Sequence, residues 1–364
     1  MGVKSGSDKD RIGEAVADAF RFRLLPASGS VLVGVSGGQD SLALLHATLA
    51  SAPKDVDVCA AHVDHGLRPS SASDAADVGR TARSLGARIV QRKYNVARWV
   101  AGTHTNLEAA ARSVRYRLLH EISQTLGNCP VITGHTGDDQ VETVLLHLLR
   151  GAGAEGLVGL QPRQDVPVSA FGPTPPRLGR IKGELTLIRP LLDVERWETA
   201  AYCERHGLRW IVDESNANVA LTRNRIRHHL VPLLETYNPS VRLAIRRLAS
   251  LVRDDVGLIE TVVEHEWQTQ ARVNASSVSI DLETFLAYQR AVASRLLRRS
   301  ASYLESQVTL SFEQVDRCMS LAFSGSGSTR LPGNLQWRVS NSTVDITRLS
   351  HTATDKDAER TNGR

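Results

Sequence analysis

The sequence predicts an α/β protein, a parallel sheet with helices on both faces, followed by a mainly helical C-terminal region. Three observations predict it. Over residues 11–149 short apolar runs alternate with amphipathic segments of helix length, the pattern of parallel strands joined by helical crossovers. The first strong apolar run, Val31–Val35, ends in Ser36-Gly37-Gly38-Gln39-Asp40-Ser41 and passes at once into the apolar-periodic stretch 42–50. That order reads as buried strand, tight turn, helix. From Asn238 to Gln270 the spacing is helical throughout. At 364 residues the chain has room for two or three cores.

In chain order, residues 11–25 have helical spacing and stop before Pro26. Val56–Val63 is a second buried-strand run, 73–85 an alanine-rich helix, and Arg88–Lys93 a third strand. A long amphipathic helix spans 106–126, Val131–Thr133 is a short strand, and 138–149 returns to helix. Composition shifts to glycine around 150–156, and the proline-rich stretch 162–176 reads as a hinge or insert outside the core. Chain order resumes at Leu185–Leu192, with a helix capped by Asp193 and running to about Arg205. Residues 327–346 alternate in short runs that read as a small hairpin, and 348–364 as a disordered polar tail.

In a parallel sheet ligands gather at the carboxyl ends of the strands, where the unusual polar clusters fall. Gly37 and Gly38 allow close approach of backbone to a ligand. The helix-start amides beside Ser36 and Ser41 suit a phosphate. His62-Val-Asp-His65-Gly-Leu-Arg68 closes the second strand; its spacing matches no familiar metal-ligand set. Glu108, Arg112 and Arg115 stand at i, i+4 and i+7 and share one helix face, which alone reads equally as a solvated ion-pair face. Asp138, Asp139 and Glu142 crowd the first turns of a helix. Acids there favour the helix dipole, and opposite a phosphate loop they also suit Mg²⁺, which binds through one or two carboxylates plus phosphate oxygens. Arg223, Arg225, Arg227, Arg242, Arg246, Arg247 and Arg253 face Glu235 as the nearby acid, a one-sided charge run that suits a phosphate backbone. Net charge is +5. Cys59, Cys129, Cys203 and Cys318 are scattered without a C-x-x-C pair, so no disulfide framework or zinc knuckle is expected. No apolar run approaches a membrane span, and the polar start lacks a signal-peptide core; a cytoplasmic protein is expected.

The S-G-G-x-D-S string resembles the pyrophosphate loop of the N-type ATP pyrophosphatases. The ordered series S-G-G-Q-D-S, H-V-D-H-G-L-R, E-x-x-A-R-x-x-R-Y, G-H-T-x-D-D-Q-x-E-T, L-x-R-G, R-P-L-L and D-x-S-N…R-N-x-I-R…P is similar to that of the tRNA(Ile)-lysidine synthase family, from Val31 to Pro232. The resemblance implies an N-type ATP pyrophosphatase catalytic domain over 1–235 and a mainly helical tRNA-binding domain over 236–347. It implies ATP with Mg²⁺, free L-lysine and a CAU-anticodon isoleucine tRNA as reactants, and leaves a homodimer open. ATP would adenylate the wobble cytidine at its 2-carbonyl oxygen, and lysine would displace AMP.

By the same resemblance Ser36, Gly37, Gly38, Gln39, Asp40, Ser41 and His65 bind the nucleotide. Asp40, Arg115, Asp139 and Glu142 are catalytic, with Asp40 and Asp139 on the metal. Glu108, Arg112, Arg223, Asn224 and Arg227 serve lysine or tRNA, and the basic run adds Arg246 and Arg247. The chain departs from the family pattern at Leu221-Thr222, where an aromatic is expected, and at Asn218, where an acid is common. A tRNA thiolase of the same superfamily usually carries paired cysteines, which this chain lacks, and a small-molecule amidating ligase would lack the arginine-rich helices. A non-catalytic RNA-binding protein would give no reason for Asp139 and Glu142 beside a nucleotide loop.

Overall fold

The structure is a computed structural model and describes residues 10–67, 70–101, 103, 105–178, 182–212, 221–306 and 308–349. The chain forms two compact units, Met1–Val252 and Arg253–Arg364. They divide inside a long helix, whereas the sequence reading divides the chain at 235/236.

The first unit is built on a six-stranded sheet: β1 (Gly29–Gly34), β2 (Val56–Asp64), β3 (Arg88–Lys93), β4 (Val131–Thr133), β5 (Arg163–Pro167) and β6 (Glu184–Ile188). Their spatial order is β3-β2-β1-β4-β6-β5. All neighbours are parallel except β5, which runs antiparallel to β6 at the edge. Val31, Leu32 and Val33 are fully buried, as a central parallel strand covered on both faces requires. One face packs on α1 (Arg11–Arg21), α2 (Gln39–Ser51), α3 (Ser71–Ser84) and a later helix, Arg196–Arg205, around a core that includes Val16, Leu44, Ala82 and Tyr202. The short helix α4 (Val96–Val100) precedes α5 (Leu107–Thr125). The other face meets α5 through Tyr116, Leu119 and Ile122.

Local chemistry sets the helix starts. Asn106 accepts from the amides of Glu108 and Ala109 to begin α5, and Asp10 accepts from Gly13 to begin α1. Helix α6 (Gly137–Leu149) opens with a capping box in which Asp139 answers Thr136. The turn α7 (Ala154–Leu157) follows it, and α8 is the Arg196–Arg205 helix. Its capping box joins Glu195 and Glu198, so Asp193 is not the cap. The proline-rich stretch is not outside the core. It supplies β5 and a 3-10 turn, Val168–Phe171, whose Val168 and Phe171 are buried, with Phe171 stacked on Tyr116 at 4.5 Å. The unit continues through α9 (Thr222–Arg225), a π-wound turn over Ile226–Leu230, α10 (Val231–Tyr237) and the start of α11 (Val241–Gln270).

The second unit combines helices α12 (Leu282–Ala287), α13 (Arg290–Leu304) and α14 (Phe312–Ser324) with five strands: β7 (Arg272–Val273), β8 (Ser277–Asp281), β9 (Gly327–Leu331), β10 (Leu335–Val339) and β11 (Thr343–Arg348). The expected hairpin is thus three strands, within an antiparallel sheet of order β7-β8-β11-β10-β9. Val278, Ile280, Trp337, Val339, Val344 and Ile346 alternate inward against the helices. Arg348 and Leu349 are ordered parts of this unit; residues 350–364 of the expected tail lie outside the described residues. Among the described residues no helix is long and apolar enough to cross a membrane.

Candidate active site

The phosphate-loop candidate lies where expected, between β1 and α2. Gly37 has φ +93°, and a Cβ there would stand 2.8 Å from a Val78 methyl, so glycine is required. Ser36 and Ser41 tie the loop shut: the Ser36 amide donates to Ser41 Oγ at 3.1 Å, and Ser41 Oγ donates to the Gly38 carbonyl at 2.9 Å. Gly38 caps α2 with no side-chain hydrogen bond, which leaves the first amides of the helix open to an anion. The loop is also held from α8. Gln39 Nε2 donates to the Arg196 carbonyl at 2.7 Å and to Thr199 Oγ1 at 3.1 Å, and Thr199 donates to Asp40. Arg196 Nε stands 3.6 Å from Asp40.

The β4–α6 turn closes on this loop. A Cβ on Gly134 would lie 2.8 Å from the Asp40 carbonyl oxygen and 3.1 Å from the Ser41 nitrogen. The absence of a side chain there lets the acids of α6 approach the phosphate seat. The three acids divide their work. Asp138 is structural, accepting from the Arg196 amide at 2.8 Å and from Arg242 at 2.6 Å. Asp139 spends one oxygen on the capping box, taking the Thr136 amide at 2.9 Å; its other oxygen is 3.8 Å from Arg227. Glu142 is buried and gripped by Arg227 through two contacts, 2.6 and 3.1 Å, with Arg223 Nε at 3.2 Å. Burial pushes the Glu142 carboxyl up even against those two cations. Burial also acts to raise Asp139, but His135, the Thr136 amide and the arginines outweigh it and hold it below the usual range.

Asp40 is raised by burial first and by the nearby Asp139 charge, with Arg196 and Thr199 opposing. A cation between Asp40 and Asp139 would relieve that repulsion. Among the described residues no group of three or more His, Cys, Asp or Glu is arranged to hold a metal. Two carboxylates with phosphate oxygens completing the shell are nonetheless what Mg²⁺ uses, so the residues fit the ion.

Two imidazoles of the strand-end turns are lowered. Burial, then the Arg115 and His62 charges, push His65 down to about 3, and its Nδ1 is buried with no hydrogen-bond partner. His135, bonded to Thr133 Oγ1 at 2.8 Å, is lowered by burial and by Arg189, Arg223 and Arg112. Of the α5 face, Glu108, Arg112 and Arg115 are exposed, and Arg112 lies over the Tyr116 ring at 4.8 Å. Asn224 is buried.

The basic run is far less free than its sequence suggests. Arg223 and Arg227 hold Glu142, Arg242 holds Asp138 and Glu235, and Arg246 reaches Glu195 at 3.2 Å and the Asp193 carbonyl at 3.1 Å. The Arg246 side chain is only 12% exposed, whereas Arg247 is exposed. Two arginines of α13 are likewise engaged, Arg295 with Glu260 and Arg299 with Glu264. Asp213–Ala220, with the D-x-S-N element and Asn218, lies outside the described residues.

Three contributors escape sequence reasoning. Arg196 and Thr199 come from a helix 155 or more residues beyond the loop, and only spatial proximity shows their role. Arg189, 1% exposed, reaches the Gln161 carbonyl at 2.8 Å and Gln164 at 3.2 Å and adds positive charge beside His135. Its R-P-L-L motif marks the place without the function.

The fold and the loop define a class, and the sequence profile of the PP-loop domain family matches residues 9–234. Curated proteins named tRNA(Ile)-lysidine synthase match beyond that domain. The one from Salinispora tropica is 37% identical over 330 residues, 88% of this chain and 92% of its own length. That of Gloeobacter violaceus is 38% identical over 68% of this chain and 70% of its length. The chain belongs to the tRNA(Ile)-lysidine synthase family. It spans about half of the longer relative from Dehalococcoides mccartyi, which is 37% identical over 66% of this chain and 49% of its own length. Among solved structures, the U34-tRNA thiolase NcsA from Methanococcus maripaludis with its [4Fe-4S] cluster shares the fold at TM-score 0.52 and 18% identity, over 66% of this chain and 78% of that one. The four cysteines here are buried and unpaired.

Gly134→Ala should force the two loops apart, because backbone atoms stand in the way of the new methyl. The expected cost is about 1–3 kcal/mol, read as a lower melting temperature together with loss of ATP-dependent pyrophosphate release. Arg246→Ala should cost about 1–3 kcal/mol of stability through its lost hydrogen bonds to charged and carbonyl groups. Arg247→Ala should change stability by less than about 0.5 kcal/mol and weaken tRNA binding. Equal melting temperatures for the two variants would contradict this division.

Proposed function

We propose that the chain catalyses ATP-dependent ligation of lysine to the 2-position of the wobble cytidine in CAU-anticodon isoleucine tRNA. The observation that carries the reading is the contact of the Gly134 turn with Asp40, which sets an anion-binding helix start against the Asp139–Glu142 acids. Relatives of that name matching nearly the whole chain support the choice of acceptor.

In this reading the open amides of α2, with Ser36, Gly37, Gly38, Gln39 and Ser41, hold the β and γ phosphates. The cytidine O2 attacks the α-phosphorus, the bond to the β-phosphate oxygen breaks, and pyrophosphate leaves. Asp40 and Asp139 would hold Mg²⁺, which supplies charge neutralisation of the phosphates. Arg115 offers a cation to the charge that builds on the α-phosphate, and neutral His65 offers a hydrogen bond to the nucleotide. The lysine ammonium first gives a proton to water; its ε-amine then attacks C2, the C2–O bond breaks, and AMP departs with the bonding pair, its phosphate taking the second proton. Glu142 is the seat for the incoming ammonium, which exchanges with the Arg223 and Arg227 guanidiniums. Glu108, Arg112 and Asn224 border the path of lysine or tRNA. Chemistry on the base needs it unstacked, a state that an anticodon loop approaches already.

The reading includes a homodimer. Leu248 and Leu251 are 47% and 65% exposed and share one face of α11.

Incubation with tRNA, ATP·Mg²⁺ and radiolabelled lysine should label CAU-anticodon isoleucine tRNA; label on no tRNA would refute the activity. Asp40→Asn should slow pyrophosphate release roughly 100-fold or more with tRNA binding intact. Light scattering should give the mass of two chains, falling to one when Leu248 and Leu251 become serine. A monomeric wild type would rule out the dimer.

A further inference from the structure

The arginines that sequence reasoning assigns to phosphate contact are largely consumed by internal acids, while a different set stands free. It lies on the outward face of the five-stranded sheet. The register runs Ser328, Arg338, Asp345, Ser279, Arg272 straight across five strands. One step along, Arg330 lies opposite Gln336. The neighbours of these positions, Trp337, Val339, Val344, Ile346, Val278 and Ile280, are buried against the helices, so the two rows point away from the core.

Arg272, Arg330 and Arg338 are exposed, and none makes an ion pair or hydrogen bond among the described residues, although the Arg272 charge adds to the lowering of the Asp281 carboxyl on the same face. Arg338 and Arg272 sit three strand spacings apart, roughly 14 Å; Arg338 and Arg330 are diagonal neighbours, roughly 7–8 Å apart. Asp345 is the acid in the row, and its carboxylate accepts from Thr343 at 2.8 Å. Between the arginines stand the Asp345 carboxylate, small hydroxyls and an amide. No large apolar side chain of β8–β11 is exposed, so the face suits neither an apolar protein partner nor base stacking, which needs aromatic platforms. Arginine with Ser, Thr and Gln donors is the set that grips phosphate and sugar.

We propose that this sheet face seats the phosphate backbone of the tRNA. The proposal rests on the lysidine reading for the identity of the RNA, and on the register and charge of the face for its place. Three spaced cations on a rigid sheet would hold successive phosphates without reading sequence.

The test uses the full chain with Arg272, Arg330 and Arg338 all replaced by alanine, and a second variant with all three replaced by lysine. Binding to CAU-anticodon isoleucine tRNA is measured across a salt series, alongside lysine incorporation by the wild type. The alanine variant should bind about tenfold more weakly near 0.1 M salt, and its slope of log K against log salt should flatten by roughly 2. The lysine variant should keep the wild-type slope, and both should melt with the wild type. An alanine variant with wild-type affinity and slope overturns the proposal. A flattened slope in a protein that transfers no lysine would keep this surface as an RNA seat and refute the lysidine reading.

Discussion

The contact between the Gly134 backbone and the Asp40 backbone is the constraint on which the rest depends. Strands β1 and β4 are neighbours, so their carboxyl-end turns must share one small space. A side chain at residue 134 would fill it. Because it is absent, a helix start that favours anions and a helix start rich in anions face each other across a few ångströms. Such an arrangement is unstable in electrostatic terms without positive charge between or around it. Burial first, and the Asp139 charge after it, raise the Asp40 carboxyl. The arginines of α8, α9 and the π-wound turn supply what the protein itself can offer.

Those arginines also show why a charge run read along a chain differs from one read in space. Arg223, Arg227, Arg242 and Arg246 have almost no acid beside them in sequence, yet each finds one on α6, α8 or α10. Their first task is to weld the 222–246 segment onto the catalytic sheet. Net positive charge then survives at places that look unremarkable in sequence, such as alternating positions of short strands.

Much of the α/β unit was legible because its signals are local. Val31–Val35, Val56–Val63 and Arg88–Lys93 are apolar or alternating runs between helix-length segments, and the helices end at the caps and glycines that the chain displays. The stretch 162–176 was not, because β5 is an edge strand with a weak alternation and two prolines nearby, and only pairing with β6 makes it a strand. The sheet of the second unit was visible only in part, since β7 and β8 are short and β11, which joins β8 to the rest of the sheet, lies more than 60 residues away. In the candidate site, Ser36–Ser41, Asp139 and Glu142 stand out in the sequence by type, spacing and their order in the family's motif series. Thr199 and Arg196 do not, since nothing in a helix of ordinary composition tells that it will buttress a loop encoded far upstream.

Asp139 begins a helix and borders the candidate site with the same carboxylate. The first turn of α6 therefore cannot fray without dissolving one wall of the site. Secondary structure and pre-organisation are here a single object. The rigidity that holds a reactive geometry comes free of any dedicated scaffold, as a by-product of the hydrogen bonds that start the helix.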